Sequence, residues 1–191
     1  MSEHPFLADE FHVRWSQLVP EKVEADIDAA ISQAQDRIDA ICAITAEEAT
    51  YENTFGALDD ASESLDRGWS RLNHLDAVRD NKDQREVLNK MLPKVTAFSA
   101  SVPLNSELWS ALKAFAESSD AKDLDAVRAR FVEETCAEFR DAGADPAFGI
   151  VLDLGHGLPQ ALGAVFAAQI ADPLGADVVG GELGVHVADA D

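Results

Sequence analysis

Lysine and arginine are scarce in this chain: 15 stand against 36 aspartates and glutamates in 191 residues, and none follows Arg140. The formal net charge of −21 excludes the basic face that a nucleic-acid binder needs, and it disfavours docking on an anionic membrane. Acidity of this size keeps a chain soluble and monomeric, and a solvated surface or a salt-adapted host accounts for it. Cysteine is nearly missing. Cys42 and Cys136 are too few for a disulfide framework and fit a reducing cytoplasm. No apolar run reaches the roughly 18 residues of a membrane span, and MSEHPFLADEF has neither the basic start nor the apolar core of a signal peptide. A soluble, cytoplasmic protein is expected. No P-loop, dinucleotide fingerprint or G-x-S-x-G occurs.

Glycine is rare at first and then abundant. Only Gly56 and Gly68 precede Gly143, while nine of the 11 glycines lie from Gly143 onward. Together with the loss of Lys and Arg, this composition break marks a boundary near Asp145 and Pro146. The expected organisation is a helical domain over 1–145 and an acidic Gly/Ala-rich tail over 146–191.

The first part carries helical periodicity throughout. Pro20 suits a first turn, and Val23, Ile27, Ala30, Ile31, Ala34, Ile38 and Ile41 recur at threes and fours. Thr50 is a candidate N-cap for a second stripe of Tyr51, Phe55, Leu58, Leu65, Trp69, Leu72 and Leu75. Asn81 or Asp83 opens a third helix with Val87, Leu88, Met91, Leu92, Val95 and Phe98 inside, and Pro93 is expected to kink or divide it. Asn105 or Ser106 caps a short fourth with Leu108, Leu112 and Phe115. The fifth starts at about Asp123, turns Leu124, Val127, Phe131, Val132, Cys136 and Phe139 inward, and ends near Gly143. No strand alternation competes. The spacing predicts an all-α fold of about five helices in antiparallel hairpins. In the tail, 158–170 can form one helix, and the glycines after Pro173 predict loop or disorder.

One segment resembles a known family. Thr50 to Thr54 read T-Y-E-N-T, followed by Trp69, L-N-H-L at Leu72 to Leu75, Arg85, L-P at Leu92 and Pro93, and Phe98. Trp15, Leu18 and Pro20 precede them, and LDAVRARFVEETCAEFRDAGAD follows from Leu124 to Asp145. Over about residues 11–145 this order and spacing resemble the N-terminal helical region of oligopeptidase A and thimet oligopeptidase, which are zinc metallopeptidases. The resemblance implies helices that wall a narrow channel admitting short unstructured peptides. It implies zinc chemistry elsewhere in a longer chain, where H-E-x-x-H supplies two ligands and the general base.

That motif has only an echo here. Leu152 to Pro159 read LDLGHGLP, and against the family pattern His156 matches the second histidine ligand, with Glu182 roughly where a third is expected. Leu152 stands in place of the first histidine and cannot bind zinc. Asp153 is a methylene shorter than glutamate, and Pro159 hinders continuation of the helix. Three protein ligands are the norm for catalytic zinc, so the stretch reads as a chance echo, or a dead site if inherited. No catalytic, cofactor-binding or metal-binding residue is assigned, and no cofactor is expected in this chain.

The remaining candidates favour plain structure. His74 can line a channel or pack between helices with its ring hydrogen-bonded, and packing is preferred. His4, His12 and His186 are isolated. Tyr51, Trp69, Phe98 and Trp109 sit at core spacing. The two cysteines lack a His partner, which favours buried structural thiols. Asp59, Asp60, Glu63 and Asp66 form a solvated face. Two readings follow. The first is the channel region of an oligopeptidase A-like enzyme, cut from its catalytic part by truncation, deletion or a frame shift near Pro146. The second is a free-standing helical interaction protein. Expected partners are short peptides, the missing catalytic part, or a second copy.

Overall fold

Pro20 has no N–H to leave unpaired and a preset φ, and helix α1 (Pro20–Cys42) begins on it. The computed structural model describes residues 3–79 and 81–144. After α1 come α2 (Ala57–Ala61), α3 (Glu63–Val78), α4 (Lys82–Ser101), α5 (Ser106–Ala116) and α6 (Ala126–Ala142), with no strand among the described residues. The all-α expectation holds. Five helices have substance, and α2 is little more than one turn. The boundary near Pro146 and the expected tail helix over 158–170 lie outside the described residues, as do LDLGHGLP, His156 and Glu182.

Caps fall where short polar side chains precede apolar runs. Asn81 Oδ1 accepts the Gln84 N–H at 2.8 Å, and Asn105 Oδ1 accepts from Glu107 and Leu108, both at 3.0 Å. Of the alternatives at each of these two starts, the asparagine does the capping. Asp125 accepts from Val127 at 2.9 Å and Arg128 at 3.1 Å, so α6 starts at Ala126 rather than at about Asp123. Val127 then falls in the first turn, 79% exposed, and not in the core as its spacing suggested. Gly143, at φ 94°, closes α6, and the Ala144 N–H reaches Phe139 O at 3.0 Å.

The stripe after Thr50 is not one helix. Thr50 Oγ1 accepts from the Asn53 N–H at 3.2 Å while Asn53 Oδ1 accepts from the Thr50 N–H at 2.7 Å, a reciprocal cap. A wide π-helical turn over Glu52–Gly56 follows, marked by the Gly56 N–H donating to Tyr51 O at 2.8 Å. The chain then tightens into α2 and α3. Pro93 lies inside α4 and does not divide it.

Side-chain contacts fix the directions. Arg37 meets the Asp60 carbonyl in α2, whereas Ile27 sits beside Gly68 in α3, so the chain from α2 into α3 runs antiparallel to α1. Lys90 pairs with Glu24 at 2.6 Å and Lys94 with Asp28 at 2.8 Å, so α4 runs parallel to α1. Trp109 stacks on Phe139 with centroids 6.0 Å apart, which sets the start of α5 beside the end of α6. The core has two parts. One gathers Ile38, Ile41, Phe55, Leu112, Phe115 and Phe139; the other gathers Phe6, Ile27, Trp69, Leu72, Met91 and Val95.

Candidate functional site

The N-terminal segment is a strap laid across α1 and α3, and a polar cluster holds it. Asp26 is fully buried; its carboxylate accepts the Phe6 N–H at 2.7 Å and lies 3.0 Å from His4 Nδ1. From α3, Arg71 donates to the carbonyls of Phe6 and Ala8, both at 2.8 Å, and Arg67 donates to Leu7 O at 3.2 Å. Burial, with Arg67 adding like charge, lowers the Arg71 pKa. Gly68 is what lets the strap lie this close: a Cβ there would meet Leu7 Cδ2 at 2.8 Å. His4 was expected to be isolated and is instead part of this anchor. Sequence reasoning missed Asp26; a carboxylate three residues after Val23 and four before Ala30, on the apolar side of α1, is the signal that could have found it.

Beyond the strap the chain opens on an apolar groove at the end of α3. Trp15 lies against His74, with ring centroids 5.0 Å apart and planes tilted by 45°, and Leu75, Val78 and Arg79 complete the lining. Trp15 is 42% and Val78 65% exposed. His74 is thus a surface residue lying against Trp15 rather than a histidine packed inside the helices. Among the described residues, three buried polar atoms are left without a hydrogen-bond partner: Trp69 Nε1, Asp76 Oδ1 and Gln84 Nε2. Gln84 lines a cavity next to the groove.

The other candidates are structural. Trp69 and Trp109 are core, and Phe98 packs at the edge of both clusters. Tyr51 is half-buried, with the Arg128 guanidinium 4.7 Å from its ring centroid. Burial raises the Cys42 thiol, with Glu107 and Asp39 adding to it. Burial also raises Cys136, against the pull of Arg140. Neither is an activated nucleophile. Asp59, Asp60, Glu63 and Asp66 lie on the surface, with Glu63 tied to Arg67 at 2.6 Å. Among the described residues no group of three His, Cys, Asp or Glu side chains can hold a metal ion. The described part therefore does not fit zinc.

Comparison with known proteins adds the context. The family model described as "Neurolysin/Thimet oligopeptidase, N-terminal domain" matches residues 21–145. Oligopeptidase A of Haemophilus influenzae is 24% identical over 129 residues, covering 68% of this chain and 19% of that protein. The chain thus spans about a fifth of the length of the curated relative it matches.

Proposed function

The chain belongs to the neurolysin/thimet oligopeptidase N-terminal domain family, and on that premise we propose that it is the channel-wall region of an oligopeptidase A-like zinc metalloendopeptidase. In this reading its helices restrict access to short, unstructured peptides, and hydrolysis belongs to a catalytic part carrying H-E-x-x-H, which no segment of this sequence contains. The observation that carries the reading is the family match, which runs from the second residue of α1 past the end of α6. Two apolar clusters hold these helices together: α1 packs on α3, α4 and α5, and α6 joins the cluster of Ile38 and Ile41 through α5 and the turn at Val102–Leu104.

Zinc stoichiometry on the purified 191-residue chain tests the division of labour. Near-zero metal after dialysis against trace zinc is expected. One tightly held zinc, lost on His156→Ala, would overturn it, because the tail would then supply a metal site of its own. A positive test adds a separately produced catalytic segment of the Haemophilus relative. Gain of peptide hydrolysis in the mixture supports the wall reading, and unchanged activity alongside a failure to associate counts against it.

The exposed groove at Trp15 and Val78 favours a second reading, a helical interaction protein without catalysis that binds peptides or its own copies. Size-exclusion chromatography with light scattering separates the two. A concentration-dependent dimer dissociated by Val78→Asp favours self-association, and a monomer at all concentrations removes it.

A further inference from the structure

The strap is held as a peptide ligand is held. Side chains of α1 and α3 grip its backbone: Asp26 accepts the Phe6 N–H, Arg71 donates to the Phe6 and Ala8 carbonyls, and Arg67 donates to the Leu7 carbonyl. One side chain fills a socket. The Phe6 ring is fully buried, in the cluster that holds Ile27, Trp69 and Leu72. Main-chain hydrogen bonds joined to a pocket that selects one side chain are a recurrent way of holding peptides. Pro5 sets the shape, because its fixed φ suits the single 3-10 turn over Pro5–Leu7. Charge on this face suits the segment as well: acidic residues outnumber basic ones 36 to 15, yet Arg67 and Arg71 stand one turn apart on α3, and Asp9 lies 3.5 Å from Arg67. The link that follows is exposed over residues 9–12, Phe11 to 96%, and no helical turn lies between Leu7 and Trp15. Lifting residues 4–8 therefore breaks none of α1 to α6, and it uncovers an apolar socket flanked by one acceptor and two donors for peptide groups.

We propose that this face of α1 and α3 is a binding site for short peptides carrying proline followed by a large aromatic residue, and that the strap occupies it as a competitor built into the chain. Its tether gives the strap an effective concentration on the order of millimolar. A free peptide therefore enters only where its own grip is tighter or the strap is weakened. The proposal rests on this face alone and holds whether or not the helices wall a peptidase channel.

The test uses the 191-residue chain with Phe6→Ala, whose own strap no longer fills the socket. A dye-labelled peptide of residues 3–10, EHPFLADE, is titrated against it and followed by fluorescence anisotropy. Saturable one-to-one binding is expected, at least about tenfold tighter than to the unaltered chain. The same peptide methylated on the Phe6 nitrogen, which cannot donate to Asp26, should bind at least about tenfold more weakly, and so should a peptide with Phe6→Ala. Should the Phe6→Ala chain fail to fold, hydrogen exchange on the unaltered chain decides. The Phe6 amide should then exchange at least about tenfold faster than the Leu72 amide, because the strap lifts without global unfolding. Equal exchange of the two amides, binding indifferent to the N-methyl group, or no binding at about 1 mM peptide would overturn the proposal. A mixed dimer of the variant and the unaltered chain, with no uptake of free peptide, would overturn it too and assign the face to a second copy.

Discussion

Replacing Asp26 by alanine should unfasten the N-terminal strap. The carboxylate is fully buried and receives the Phe6 N–H at 2.7 Å, a charge-assisted bond worth about 1.5–3 kcal/mol net. In the alanine variant that N–H has no acceptor, in a segment whose Phe6 ring is also fully buried. His4 adds less. It is 38% exposed in its side chain, so water screens the pair, and its share is below about 1 kcal/mol. The Arg71 contacts to the Phe6 and Ala8 carbonyls survive and hold part of the strap. The expected loss for Asp26→Ala is therefore about 2–4 kcal/mol, a large share of the roughly 5–15 kcal/mol that holds a typical domain. Asp26→Asn keeps an acceptor for Phe6 and should lose about half of that; His4→Ala should lose least. Urea unfolding followed by circular dichroism gives all three values. A loss below about 0.5 kcal/mol for Asp26→Ala, or His4→Ala exceeding it, would refute the anchoring role.

Other outcomes follow from burial and backbone chemistry. Leu72→Ala, at a fully buried position, should cost about 2–5 kcal/mol in the same assay, whereas Val127→Ala, 79% exposed, should stay within about 0.5 kcal/mol. Asn105→Ala removes the acceptor for two N–H groups of α5 and should cost about 1 kcal/mol. Pro93 is exposed within α4; Pro93→Ala restores a missing donor and should stabilise by up to about 3 kcal/mol, and a loss would mean that the packing of α4 needs the proline. Both cysteine thiols are raised by burial, so alkylation should accelerate only above the ordinary thiol range near about 8.5. Because the folded pKa values are the higher ones, the matching stability is present below that range and is lost as pH climbs through the raised values. Rapid alkylation at neutral pH would show activated thiols instead.

The periodicity of residues 20–142 carried most of the fold. Apolar residues at threes and fours name the buried face of α1, and six of its seven predicted positions, Val23, Ile27, Ala30, Ala34, Ile38 and Ile41, lie in the core. Asparagine before an apolar run located the starts of α4 and α5, because a side-chain acceptor for free N–H groups is a local need. Position 127 was illegible for the opposite reason: its spacing fits a core stripe, but it falls in the first turn of α6 and is exposed. The break of the second stripe into a π-helical turn and two helices was equally hidden, since i→i+5 bonding leaves no period of its own in five residues.

What the sequence determined by itself was local or compositional: helix content, caps, the acidic surface and the family likeness of residues 11–145, later met by a match over 21–145. What only the tertiary structure decided was long-range pairing. His4 with Asp26, and Arg71 with the strap carbonyls, are each far apart in the chain. No periodicity records such meetings, because they depend on how whole helices cross, and a single polar residue looks the same in sequence whether its partner is water or a buried carboxylate.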